Sequence, residues 1–179
     1  MVYILLADGF EEAEALVPAD LLRRADIDTA LVSLWGSEAV GGRGIWVKAD
    51  LNVAQVDLTK ADMFVLPGGR VGVRNLAGEP VVAALLQEAA DRDIWIAAIC
   101  AAPTLLAKTG CLRGKRAVCY PGMEDQLEGA TALMDQGVVV DGHIITGRAA
   151  GSAFDFGLAL VKALAGEEKA DEVRHAVHY

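Results

Sequence analysis

Basic blocks, long apolar runs and cysteine pairs are all missing from this chain, and each absence removes a class of function. Lys and Arg number 16 against 25 Asp and Glu, and the net charge of -9 is carried without any cluster of cations. A surface of that sign repels phosphate backbones, so nucleic acid is not an expected partner. The apolar run near the N-terminus, in MVYILLADG, is about five residues long, far short of the roughly twenty that span a bilayer. With no basic lead-in or cleavage-like site before it, it reads as a buried first strand, and no membrane association is expected. Cysteines stand only at 100, 111 and 119, an odd set with no CxxC pair. That pattern suggests neither a disulfide framework nor a zinc knuckle, and it points to a reducing, cytoplasmic setting. The three histidines are His143, His175 and His178. The last two, in HAVH, read as an exposed C-terminal tail, and no metal is expected. Glycine spacing in LPGGRVG does not match the dinucleotide pattern GxGxxG, so no nucleotide cofactor is expected either. No linker, repeat or low-complexity segment interrupts residues 1–179, which are read as a single domain large enough to bury roughly 70% of its unfolded surface.

What is present is an Ala/Val/Leu-rich interior: 54% hydrophobic residues with only 6% aromatics. Apolar runs of strand length recur at 2–7, 29–34, 63–67 and 94–100, with helix-like segments between them, which predicts βαβ units and a parallel sheet covered on both faces. ALVPADLLRRA and PVVAALLQEAADR read as crossover helices, the second with Pro80 at its start. In GVVVDGHIITG, Asp141-Gly142 between β-branched runs predicts a hairpin and so a mixed sheet. A helix is expected from Gly151 to Gly166, with Ser152 as its cap.

Three stretches could carry chemistry. In AAICAAPT, the buried-looking strand stops at Cys100 and a helix starts at once, so the side chain is lifted to the carboxyl edge of the sheet, where ligands of open parallel sheets sit. A helix start favours thiolate over thiol, although free cysteines are also among the most buried residues. In DGFEEAEA, Glu11, Glu12 and Glu14 crowd a strand end and helix start. They either complement the helix dipole or bring one carboxyl against Cys100, where the two groups would share a proton and titrate as a unit. In LPGGRVG, Gly68 and Gly69 either form a plain turn or let backbone N–H groups approach a ligand as an oxyanion hole requires.

Taken in order, DGFEEAEALVPADLLRRA, FVLPGG, AAICAAPTLLA, CYPG and ITGRAAGSAFDFGLALVKALAG resemble the DJ-one/ThiJ/PfpI superfamily, in the branch of the Parkinsonism-associated deglycase and glyoxalase III, from residue 1 to about 170. The resemblance implies a flavodoxin-like three-layer α/β/α sandwich with a mostly parallel sheet and a β-hairpin. It implies that Cys100 is the nucleophile, Glu14 its acid/base partner, and Gly69 and Ala101 the oxyanion donors. Glu11, Gly68, Tyr120 and Arg148 would line the pocket, with Arg148 near Glu11. Homodimers are usual in the branch, with Arg24 and Arg43 near the partner's site. The implied activity needs no cofactor: methylglyoxal or glyoxal becomes lactate or glycolate, or glycated adducts are released. The same constellation suits an oxidative-stress sensor or redox-linked chaperone in which Cys100 becomes sulfinate. A peptidase is disfavoured, because Ala101 stands where such relatives carry histidine, and Tyr120 stands where others bring one. Cys111 and Cys119 read as packing or surface residues, with Cys119 close to the pocket or the dimer seam.

Overall fold

The computed structural model describes residues 1–179. The chain opens with β1 (Val2–Leu6), α1 (Glu12–Arg24) and β2 (Thr29–Ser33), followed by a small hairpin of β3 (Glu38–Val40) and β4 (Trp46–Lys48) and an edge strand β5 (Leu51–Asn52). It continues through β6 (Met63–Leu66), α2 (Arg70–Gly78), α3 (Pro80–Asp91), β7 (Trp95–Ile99) and α4 (Pro103–Lys108). The last third holds β8 (Arg116–Ala117), β9 (Thr131–Ala132), β10 (Val138–Asp141), β11 (Ile144–Gly147), α5 (Ala153–Ala165) and α6 (Glu167–Ala176). No helix is long and apolar enough to cross a membrane.

Seven strands form one sheet in the order β10-β11-β7-β6-β1-β2-β5, parallel throughout except for the β10–β11 hairpin. Every residue of β1 and β6 is buried, as the unbroken apolar runs require when helices cover both faces of a sheet. The period of two divides each strand between two cores. Tyr3, Leu5, Phe64, Leu66, Ile96 and Ala98 face the layer of α2, α3 and α4. Val2, Ile4, Leu6, Met63, Val65, Ala97 and Ile99 face α1, α5 and α6. The result is the flavodoxin-like sandwich with an added hairpin that the motifs imply.

Topology positions the site. The chain runs outward from β1 to β2 and β5, then returns to β6 on the other side of β1. Strand order therefore reverses between β1 and β6, and ligands of open α/β sheets bind in the crevice at such a point. Because β1, β6 and β7 are adjacent and parallel, the segments after them emerge together: Ala7–Glu11, Pro67–Gly69 and Cys100.

Two local expectations are corrected. Asp141 pairs with Ile144, so the hairpin turn is Gly142–His143 rather than Asp141-Gly142. Gly142, at φ +62°, takes the first central position, the one that demands glycine in a two-residue loop of this kind. Ser152 precedes α5, but its side chain makes no capping hydrogen bond. A short 3-10 turn over Ala150–Ser152 leads into the helix instead.

Candidate active site

Cys100 is the first residue after β7 and sits at φ +66°, a left-handed conformation that costs a non-glycine residue roughly 1–2 kcal/mol. The surroundings hold it there. Its N–H donates to the Gly147 carbonyl at 2.9 Å, and its carbonyl accepts from the Tyr120 N–H at 2.7 Å. Strain of this kind persists only where neighbouring structure over-determines it. The thiol is turned into a cavity of about 270 Å³ lined by Glu11, Arg43, Gly69, Arg70, Cys100, Ala101, Tyr120 and Met123.

Glu14 approaches the same sulfur from α1 and is fully buried. Its Oε2 accepts from the Gly68 N–H at 2.8 Å, while the Gly68 carbonyl accepts from the Glu11 N–H at 3.0 Å. Gly68 thus ties the loop after β6 to the start of α1 through both of its backbone groups. The other carboxyl oxygen, Oε1, has no regular hydrogen-bond partner. The carboxyl lies beside the Cys100 thiol, and each group shifts the other's pKa.

Burial raises the Glu14 pKa from 4.5 to about 7, against the opposing pull of the Cys100 and Gly68 contacts, with the Glu11 charge adding to the rise. Burial and the charge of Glu14 push the Cys100 thiol up from 9.0 to about 12, although the Gly69 and Ala101 N–H groups aimed at the sulfur work the other way. The acidified thiol expected from a helix start is therefore not present while Glu14 is ionised: burial, and after it the neighbouring carboxylate, outweigh a six-residue helix. The two groups titrate as one unit. A first proton leaves near neutrality and the second only near pH 12, so the pair carries one negative charge and one movable proton between them.

The remaining residues named from the sequence divide by position. Glu11 and Arg43 face each other at the mouth, with Arg43 Nη2 3.9 Å from Glu11 Oε2. Tyr120 is half exposed and presents its phenol to the cavity beside Cys100. Arg148, expected near Glu11, does not line the cavity. It follows the end of β11 with its side chain exposed and its backbone N–H on the Gly137 carbonyl, and Arg43 occupies the place beside Glu11. Arg24 lies on the outer face of α1 in an ion pair with Asp20 at 2.8 Å. Cys119 is buried next to the site, and desolvation followed by the charge of Glu124 pushes its thiol up to about 11, so it is protonated at neutral pH.

One participant escaped the sequence. Glu12 is buried, and its Oε1 accepts from the Arg43 N–H at 2.7 Å. It fits only because Gly41 has no side chain, since a Cβ there would overlap the carboxylate. Gly42 donates to the Phe10 carbonyl and Gly9 to the Val40 carbonyl, both at 2.7 Å. Glu12 thus anchors the β3–β4 loop, and with it Arg43, to the mouth of the cavity. No local signal separates Glu12 from Glu11 and Glu14, because the distinction depends on a glycine 29 residues away.

The model of the DJ-1/PfpI family matches residues 1–163. The chain belongs to the DJ-1/PfpI family. Protein dj-1beta of Drosophila melanogaster is 42% identical over 95% of this chain and 92% of its own length. Its crystal structure superposes with a TM-score of 0.95 over 98% of this chain and 96% of the other. Two more distant DJ-1/PfpI relatives bear activity names. A deglycase of Pyrococcus abyssi is 32% identical over 91% of this chain and 98% of its own. A glutathione-independent glyoxalase of Caenorhabditis elegans is 30% identical over 95% and 91%.

Proposed function

We propose that this protein is a cofactor-independent enzyme of reactive dicarbonyls, converting methylglyoxal to lactate and glyoxal to glycolate, with Cys100 as nucleophile and Glu14 as acid/base. The observation that carries the reading is the buried Glu14 carboxyl beside Cys100, with Oε2 fixed by the Gly68 N–H and Oε1 left without a partner, at a pKa of about 7. A general acid/base works best with its pKa near the working pH. Relatives named deglycase and glutathione-independent glyoxalase support the same chemical class.

The steps balance without an external oxidant. With the shared proton on Glu14, the Cys100 thiolate adds to the aldehyde carbon of methylglyoxal, and the new oxyanion meets the Gly69 and Ala101 N–H groups. After yielding its proton to that oxygen, which gives the hemithioacetal, Glu14 as carboxylate removes the hydrogen from the same carbon. The electron pair moves toward the ketone to give an enediolate; the hemithioacetal hydroxyl proton passes to the former ketone oxygen, and Glu14 returns the proton it took to the former ketone carbon. The aldehyde carbon is now a thioester and its neighbour a secondary alcohol. Water cleaves the thioester, releasing lactate and regenerating the thiol. Release of early glycation adducts would draw on the same residues.

Purified protein is expected to form lactate from methylglyoxal without glutathione, and Cys100→Ala to form none. Equal lactate formation by both proteins would exclude Cys100 as the nucleophile. A second reading is favoured by the same free oxygen of Glu14: a protonated carboxyl there can donate to a Cys100 sulfinate formed by two equivalents of peroxide. Intact mass after mild peroxide tests it. A gain of two oxygens that Cys100→Ala abolishes supports a sensor, and no gain rejects it.

A further inference from the structure

Next to the Cys100 cavity lies a second groove of about 220 Å³, between α2 and α4. Arg70, Val73, Arg74 and Ala77 form one face of α2, at the spacing that stacks side chains along a helix, and Ala101, Leu105 and Lys108 come from the α4 side. The floor is therefore apolar and the rim cationic. Groove and cavity share Arg70, Ala101 and Met123. Ala101 is the residue whose N–H bears on the Cys100 sulfur, so the groove opens directly beside the point where Cys100 would hold a carbonyl.

The chain carries nine more acids than bases, yet no Asp or Glu lines the groove. Nine of the chain's 16 Lys and Arg side chains stand within 4 Å of a carboxylate; Arg70, Arg74 and Lys108 are three of the seven that pair with none, and the three share this one groove. Three unpaired cations around one apolar-floored groove, on an otherwise anionic protein, repel one another unless an anion joins them.

We propose that this groove is a specificity subsite for the anionic end of the substrate, and that the preferred substrates are 2-oxoaldehydes bearing a carboxylate or phosphate rather than neutral methylglyoxal. The proposal rests on the dicarbonyl reading of Cys100. Addition, proton transfer and hydrolysis proceed as for methylglyoxal: the aldehyde becomes a carboxylate, the ketone a secondary alcohol, one water is consumed, and the distal anion is carried through unchanged. Arginine forks suit either anion through charge-assisted hydrogen bonds.

The test compares methylglyoxal with 4,5-dioxovalerate and with hydroxypyruvaldehyde phosphate, in wild type and in Arg74→Gln/Lys108→Gln, two positions that line the groove but not the cavity. Wild type is expected to favour at least one anionic substrate by about tenfold in kcat/KM, the scale of one or two charge-assisted contacts. The double variant is expected to lose that preference and keep its methylglyoxal turnover, and the preference in wild type is expected to shrink with added salt. Whichever anion gains more identifies the headgroup. Equal kcat/KM for all three substrates in wild type, or a preference that survives the double substitution, overturns the subsite. A second measurement does not depend on turnover: protection of Cys100 from iodoacetamide by each 2-hydroxy acid product. The carboxylated or phosphorylated product should protect wild type at concentrations where lactate does not, and should fail to protect the double variant. Protection without turnover would reject the catalytic reading and keep the subsite. Turnover without selective protection or preference would do the reverse.

Discussion

Glu14→Gln is expected to lower methylglyoxal turnover by about a hundredfold to ten-thousandfold, the range of a positioned acid/base, while leaving the fold intact. The amide oxygen can still accept from the Gly68 N–H, so the link between the loop after β6 and α1 survives. What disappears is the movable proton. Wild-type activity should rise with pH through about 7, where the pair loses its first proton and becomes able to form thiolate. The residual activity of the variant should not follow that curve. Stability carries the complementary signature. In the folded protein Glu14 holds its proton up to about pH 7, whereas an unfolded glutamate releases it near 4.5. Between those values the folded state binds the extra proton, so stability present below pH 4.5 is lost as pH rises through 7. By linkage the loss is about 3 kcal/mol. Denaturant titrations at pH 4.5 and pH 8 should therefore show wild type weakening relative to Glu14→Gln by that amount as pH rises. Parallel stability curves would mean that Glu14 is not the buried titrating group, and wild-type-like turnover in the variant would remove its role as acid/base.

The parts of this molecule written into short stretches of sequence were legible, and those set by distant residues were not. Cys100 could be placed at the carboxyl edge of the sheet because the apolar run of β7 ends at it and α4 begins three residues later. The strands β1, β2, β6 and β7 stand within a residue or two of their apolar runs, since burial on both faces leaves few polar positions to blur the ends. By contrast, β3 and β4 are three residues each and largely exposed, with Trp46 on the surface, so they offer no period to read. Helix α2 was hidden because RVGVRNLAG follows two glycines and contains two more, which locally argues for a turn. Its start is imposed by tertiary contacts of Gly69 and Gly72 with the Gly9 carbonyl region. Which acid of EEAE meets Cys100 depends on how α1 is rotated against β6. The family resemblance named Glu14, but the helix alone had no means of choosing among the three. That Arg43 stands beside Glu11 was hidden for a related reason: it is brought there by a hairpin that Glu12 anchors.

Gly69→Ala is expected to cost at least about 3 kcal/mol of stability, the upper end for forcing atoms into a packed site, and to abolish turnover in whatever fraction folds. The residue sits at φ +88°, a region that side-chain-bearing residues rarely enter. A Cβ there would overlap the Gly9 carbonyl oxygen and lie 2.7 Å from the Glu11 nitrogen and 2.9 Å from the Phe10 carbonyl carbon. All three are backbone atoms, so no rotamer change relieves the overlap, and the loop after β1 must move away from the loop after β6. That movement would separate the Gly68 N–H from Glu14 and turn the Gly69 N–H away from the Cys100 sulfur, so stability and chemistry would fail together. Gly78→Ala is the matched control. Its φ is not positive, an added Cβ would have nothing within 4 Å, and it closes α2. Alanine there should be neutral or stabilise by up to about 1 kcal/mol through helix propensity. If thermal melts rank the two variants equally, the close approach of the two loops at Gly69 does not govern stability, and the oxyanion geometry built on it would have to be abandoned.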